Sequence, residues 1–381
     1  MKNLIKKHIN KQHIYLVTVI LLTMILVSGF MLLQGPKIIE ARVTHFLASG
    51  IIQECHTKIN WQYCYANKLS DLNRYIPFRL SMQVFFAIQR DDPQTEICHV
   101  IVHKLGGSEI AKNPDDWLSM FKYIPDSNMC FTGFIHGAME GKQRYDSDFK
   151  LNPQTANEMC NQIKKIMNND NMYPCGHGLG HIILVEENND LVKAATVCTG
   201  LQEGLQRYCL DGLFMEYIFK SNLISHGMAA PIEESEKYAK EIESICKTFR
   251  GEKTTSCWRE ISMLYFKIVG TDITKLYQYC ERGILNQNVN ACYFRVLSVV
   301  VMDQKVDKKQ FAFLCDKYRN NDSSLSLCYD WVITGIIYTD PKLIYLINEI
   351  CQVAPTTFKN ECWKMRDERI KMYAPTKTVK L

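Results

Sequence analysis

Residues 235–269 read SEKYAKEIESICKTFRGEKTTSCWREISMLYFKIV and contain the pattern that decides the fold. An amphipathic stretch ends at Cys246, a short polar segment follows, and Cys257 opens an apolar stretch. The spacing of apolar residues in both stretches predicts two helices joined by a tight corner. Such a corner can bring two cysteines within the roughly 4 to 7 Å between Cα atoms that a disulfide requires.

The same unit recurs along the chain. The sixteen cysteines fall in pairs, and from Cys160 onward the pairs recur about every 34 to 48 residues, which is typical of stacked helical hairpins. We therefore predict an all-α protein, in which an N-terminal transmembrane helix precedes a disulfide-stapled solenoid or irregular bundle of helical hairpins. Each disulfide is expected to contribute about 2 to 4 kcal/mol. The expected pairs are Cys55–Cys64, Cys98–Cys130, Cys160–Cys175, Cys198–Cys209, Cys246–Cys257, Cys280–Cys292, Cys315–Cys328 and Cys351–Cys362.

The segment Ile14–Leu33 reads IYLVTVILLTMILVSGFMLL and has no charged residue, so it is long enough to cross a bilayer as a helix. Lysines precede it, and the positive-inside rule then predicts a single-pass cell-membrane protein with a cytoplasmic N-terminus and an extracytoplasmic C-terminal bulk. A cleaved signal peptide is the alternative, although no small-x-small cleavage site follows the segment. An extracytoplasmic location agrees with the even number of cysteines.

Composition and motifs exclude several classes of function. The net charge of +5 comes largely from Lys2, Lys6, Lys7 and Lys11, so the remainder is close to neutral and no nucleic-acid partner is expected. No CxxC motif occurs, which leaves zinc ribbons and covalent haem attachment without support. GxSxG, Walker A and a strand-linked dinucleotide fingerprint are also absent from the sequence.

Five of the ten histidines form short helical patterns in one part of the chain. They lie in CHVIVHKLGG (98–107), CFTGFIHGAMEG (130–141) and CGHGLGH (175–181). His136 and His181 both follow the second cysteine of their hairpin by six residues, and other polar residues fall at +2 and +10. These positions share one helix face, because residues four apart are neighbours on a helix. Asp211 and Glu216 place carboxylates on the next hairpin, although Asp211 could instead complement the helix dipole.

Eight of the nineteen glycines lie beside these histidines. Glycine weakens a helix by about 1 kcal/mol relative to alanine, so its concentration on these helices indicates close approach of helix backbones. Close approach would bring short ligands from separate hairpins to a common centre. The glycines are Gly106, Gly107, Gly133, Gly137, Gly141, Gly176, Gly178 and Gly180.

Imidazoles and carboxylates in this arrangement suit zinc or iron. The predicted cofactor is therefore a divalent metal, in a mononuclear or dinuclear site, with non-covalent haem as an alternative. The organisation resembles that of HEAT-repeat dimetal hydroxylases, in which His and Glu project from successive hairpins; the likeness is one of architecture. We expect a metal-dependent hydrolase or oxygenase, with Glu216 as candidate general base. The predicted metal ligands are His99, His103, His136, Glu140, His177 and His181.

The repeats after residue 226 contain no further histidine, and aromatic residues follow their second cysteines. We expect these aromatics in the core and a surface for a protein or glycan partner on these repeats. The alternative function is a non-catalytic disulfide-stapled helical-repeat scaffold with structural histidines. The predicted divisions are a cytoplasmic tail (1–13), a transmembrane anchor (14–33), a juxtamembrane helical segment (34–95), His/Glu-bearing hairpins (96–225), Cys-paired repeats (226–370) and a basic tail (371–381).

Overall fold

The described part of the protein is built from helices and turns. The computed structural model describes residues 38–92, 95, 98–124, 129–167, 172–219, 232–270, 272–283, 285–302, 315, 318, 320–339 and 344–373. Within these ranges no residue lies in a β-strand. The predicted all-α class is confirmed.

Helix α1 covers residues 38–55, and a 3-10 segment covers Pro114–Tyr123. The remaining helices, in chain order, are α2 (Trp61–Asn73), α3 (Phe78–Asp91), α4 (His99–Ile110), α5 (Met129–Tyr145), α6 (Pro153–Met167), α7 (Tyr173–Glu186), α8 (Leu191–Thr199), α9 (Gln206–Phe219), α10 (Ile232–Cys246), α11 (Glu252–Val269), α12 (Ile273–Cys280), α13 (Asn286–Met302), α14 (Asp322–Thr339), α15 (Ile344–Val353) and α16 (Lys359–Tyr373).

Disulfides join the predicted cysteines at the hairpin corners. Their Cα–Cα distances run from 5.4 Å to 5.8 Å, within the range that disulfides occupy. Cys98 is also disulfide-bonded, whereas the side chain of its predicted partner Cys130 lies outside the described residues. The confirmed pairs are Cys55–Cys64, Cys160–Cys175, Cys198–Cys209, Cys246–Cys257, Cys280–Cys292, Cys315–Cys328 and Cys351–Cys362.

The second helices of the hairpins pack in a row, each against the next. The row runs from α4 through α5, α7, α9, α11, α13 and α14 to α16. The first helix of each hairpin packs against its own second helix, as in α10 against α11. Side chains at equivalent positions of α5, α7 and α9 therefore face one another across successive repeats.

The hairpin of α10 and α11 shows why these residues form the repeat. Gly251 has a φ of 61° just before α11, a backbone conformation that favours glycine and lets the chain reverse. The hydroxyl of Thr254 donates to the carbonyl of Cys246 across the corner at 3.0 Å. Trp258 and Tyr265 are fully buried, which agrees with the predicted core role of the aromatics that follow each second cysteine.

The predicted anchor, residues 14–33, lies outside the described residues. No helix in the described ranges combines the length and apolar character needed to cross a membrane. The membrane anchor, its orientation and the domain boundaries stay predictions.

Candidate metal centre

Five imidazoles from three helices converge around His136. His99 and His103 come from α4, His136 from α5, and His177 and His181 from α7. The ring centre of His136 lies 5.2 Å from that of His99, 6.3 Å from His103, 5.3 Å from His177 and 5.1 Å from His181. The sequence pattern predicted this convergence on successive hairpins.

Three of these histidines form a group that could hold a metal ion. One ligand atom from each of His136, His177 and His181 lies within 4.8 Å of the other two. A tetrahedral ion with metal–nitrogen bonds of about 2.0 Å spaces its nitrogens about 3.3 Å apart. Modest side-chain rotations would therefore bring the three nitrogens to the spacing that such an ion requires.

His136 is the strongest candidate for a metal ligand in this group. Its side chain is buried, with a relative exposure of 2%, and neither ring nitrogen has a hydrogen-bond partner. Leaving a buried polar group without such a partner costs about 1 to 3 kcal/mol. Burial, followed by the charges of four nearby histidines, holds the pKa of His136 well below its usual range. The imidazole is therefore neutral at pH 7 and has a lone pair to offer.

His181 is oriented by a carboxylate on the next helix of the row. Its Nδ1 lies 2.7 Å from Oε2 of Glu216, and an ionised carboxylate only accepts, so Nδ1 carries the proton. Burial lowers the pKa of His181, but the hydrogen bond and charge of Glu216, with the charges of Glu140 and Glu260, outweigh burial and raise it. Metal-binding histidines commonly have such a carboxylate on the ring nitrogen away from the metal.

The other predicted ligands border the group of three. Nε2 of His103 lies 3.0 Å from Oε1 of Glu140, which joins α4 to α5. The ring centre of His99 lies 6.1 Å from that of His103. Among the described residues, one group of three candidate ligands meets the 4.8 Å spacing, and it consists of His136, His177 and His181. Ligation by His99, His103 and Glu140, and with it a dinuclear site, stays a prediction.

Glycines bring the histidine-bearing helices close together. A β-carbon at Gly133 would lie 2.5 Å from the carbonyl oxygen of His99. A β-carbon at Gly137 would collide with the carbonyl of His103, and one at Gly212 with the carbonyl of His177. In each of these helix pairs, α4 with α5 and α7 with α9, a glycine lies directly against the backbone of a clustered histidine.

Buried charged residues extend from the cluster into the next repeats, which the sequence interpretation did not predict. Asp211 on α9 forms a buried ion pair with Arg259 on α11, so it pairs with a side chain rather than only complementing a helix dipole. Glu260 on α11 lies 3.4 Å from Arg295 on α13. Burial raises the pKa of Glu260 to about 7, against the opposing charges of Arg295 and Arg259. The only sign of these ion pairs in the sequence is that their acidic and basic residues lie in neighbouring repeats.

No protein-family model, no curated protein and no solved structure matches the chain. The chemistry of the centre is therefore inferred from its own residues.

Proposed function

We propose that the protein is a membrane-anchored, extracytoplasmic metalloprotein that binds one transition-metal ion through His136, His177 and His181. The observation that carries the proposal is His136, whose two buried ring nitrogens have no hydrogen-bond partner. A bound ion would supply a partner for one of the two nitrogens. The same position in an ordinary packed core would favour an apolar side chain.

The surroundings of the three histidines support a metal rather than a purely structural cluster. Three mutually close imidazoles on two helices destabilise one another when protonated, and each is at most 3% exposed. Glu216 adds the supporting carboxylate that metal-binding histidines commonly have. Its contact with His181 supports a positioning role, whereas a general base must reach a proton of the substrate.

The reaction, if any, stays a prediction. Hydrolysis or dioxygen activation needs a ligand position that is open beside the ion. All three histidines are buried, which favours an enclosed ion over an ion that a substrate can reach. Metal binding is therefore the function that we propose, and catalysis is a further expectation.

The proposal is tested by the metal content of the full-length protein purified in detergent under oxidising conditions. We expect about one ion per chain, and less than about 0.2 after His136→Ala combined with His177→Ala. His45→Ala is the matched control, because His45 is an exposed histidine outside the cluster. Equal, near-zero metal content in all three proteins, also after incubation with metal salts, would contradict metal binding.

The location is tested separately with a fusion after Leu381. Alkaline phosphatase needs disulfides to become active, so it should be active when fused there if the C-terminal bulk is extracytoplasmic. A fluorescent cytoplasmic reporter fused at the same residue should then be inactive. The reverse result would contradict the proposed orientation.

A further inference from the structure

A methionine thioether contacts one of the three histidines. Sδ of Met215 on α9 is 3.3 Å from Nε2 of His177 on α7. Two atoms that coordinate one tetrahedral ion, a nitrogen at about 2.0 Å and a sulfur at about 2.3 Å, lie about 3.5 Å apart. The observed separation is thus the one that two ligands of a shared ion would have.

The position of Met215 in its repeat is the position of the histidines in theirs. His136 lies six residues after Cys130 (136 − 130), His181 six after Cys175 (181 − 175), and Met215 six after Cys209 (215 − 209). Since α5, α7 and α9 pack in succession, these three residues occupy equivalent positions of successive helices.

The backbone packing of α7 and α9 fixes this arrangement. The carbonyl of His177 lies against Gly212, and a β-carbon at Gly180 would collide with the carbonyl of Cys209. The two helices are therefore as close as their backbones permit. Met215 and His181 follow Gly212 and His177 by about one helical turn.

A weak N–H···S hydrogen bond is the competing explanation of the contact. Thioether sulfur is a weak acceptor, and α9 offers the neighbouring carboxylate of Glu216, which instead binds His181. The arrangement gives the stronger acceptor to one histidine and the soft sulfur atom to the other. A metal site would use both contacts: the carboxylate of Glu216 would orient His181, and the sulfur of Met215 would bind the ion beside His177.

We propose that Met215 is the fourth ligand and that the ion is copper, held as Cu(I) by three imidazoles and one thioether. This inference rests on the proposed metal-binding function and names the metal of the same site. Thioethers select Cu(I), whereas zinc sites use thiolate, imidazole and carboxylate.

Charge and redox environment support the same ion. The four proposed ligands carry no charge, and the carboxylate of Glu216 that contacts His181 brings one negative charge. A monovalent ion balances that charge, whereas a divalent ion would leave an excess positive charge in the buried group. Free cysteines are absent from the described residues, as expected where thiols are oxidised. A soft ion in that environment must be held by thioether and imidazole groups instead of thiolates.

The test is Cu(I) binding by the full-length protein in detergent, with ascorbate to keep the ion reduced and a coloured Cu(I) chelator as competitor. Met215→Leu removes the sulfur and keeps the size of the side chain. It should weaken Cu(I) binding at least about tenfold and leave Zn(II) binding unchanged. Met263→Leu is the matched control, because Met263 is half-buried at the same position of the next repeat and contacts Arg295.

X-ray absorption on the copper-loaded wild type gives a second measurement that does not depend on the variant's folding. We expect one sulfur neighbour at about 2.3 Å, together with nitrogen neighbours. A nitrogen-only shell, with unchanged Cu(I) affinity in Met215→Leu, would overturn the inference and leave the three-histidine metal site standing. Absence of binding to copper, zinc and iron alike would overturn the proposed function and the inference together.

Discussion

The backbone carbonyl of His103 occupies the space that a β-carbon at Gly137 would need. The carbonyl of His177 has the same relation to Gly212. Because the glycine touches the backbone of the histidine itself, the depth at which each imidazole enters the cluster is set by the absence of a side chain on the facing helix.

Gly137→Ala should therefore destabilise the protein by about 1 to 3 kcal/mol, because α4 and α5 must separate to admit a methyl group. Gly50→Ala is the matched control. Gly50 is also helical but has nothing within 4 Å of the position of a β-carbon, so alanine there should be neutral or stabilising by up to about 1 kcal/mol. Urea unfolding of both variants is the measurement, and equal midpoints would contradict the packing.

Glu216→Gln should lower metal affinity by about 10- to 100-fold, because His181 loses the carboxylate that orients it. Glu186→Gln is the control, since Glu186 is an exposed carboxylate on α7 that contacts only Gln143 among the hydrogen bonds described. Competition with a chelator measures the affinities. Unchanged affinity in Glu216→Gln would remove Glu216 from the centre.

His136→Leu should stabilise the metal-free protein, by about 1 to 3 kcal/mol, because it removes a buried polar group that has no hydrogen-bond partner. The same variant should abolish stabilisation by added metal. His56→Leu provides the contrast, because His56 contacts the buried Asp92 and its loss should not stabilise. Unfolding in the presence of a chelator, and again with metal, separates the two effects.

Glu260 should make stability depend on pH. Its pKa rises from 4.5 to about 7 in the folded protein, mainly through burial, so the folded state retains a proton that the unfolded state releases. This contribution to stability is fully present below about pH 4.5 and is lost as pH rises through about 7. Wild type should lose stability relative to Glu260→Gln across that window, and parallel pH profiles would contradict a raised pKa of the buried Glu260.

The hairpins could be predicted from the sequence because their determinants are local. Each confirmed disulfide closes 9 to 15 residues, and the pairing follows from one helix ending where the next begins. The two imidazoles of CGHGLGH share one helix, so their proximity was also a local property. Convergence on His136 followed from the repeat, which places equivalent residues in one row.

The remaining features of the site depend on contacts between repeats. Met215 lies 38 residues from His177, and Arg259 lies 48 from Asp211. In the sequence Met215 occupies the same +6 position as His136 and His181, but this position alone does not distinguish a ligand from an ordinary core methionine. Only the register of one hairpin on the next identifies their partners.

The disulfide Cys160–Cys175 ends two residues before His177, and this proximity has a consequence for biosynthesis. In a newly made chain the cysteines are thiols, which bind soft metals more strongly than imidazole does. Oxidation converts these competitors into the bonds that fix α7 beside its neighbours. We therefore expect maturation in a fixed order, with disulfide formation first and metal loading last, so that an ion arriving too early would be trapped by the wrong ligands.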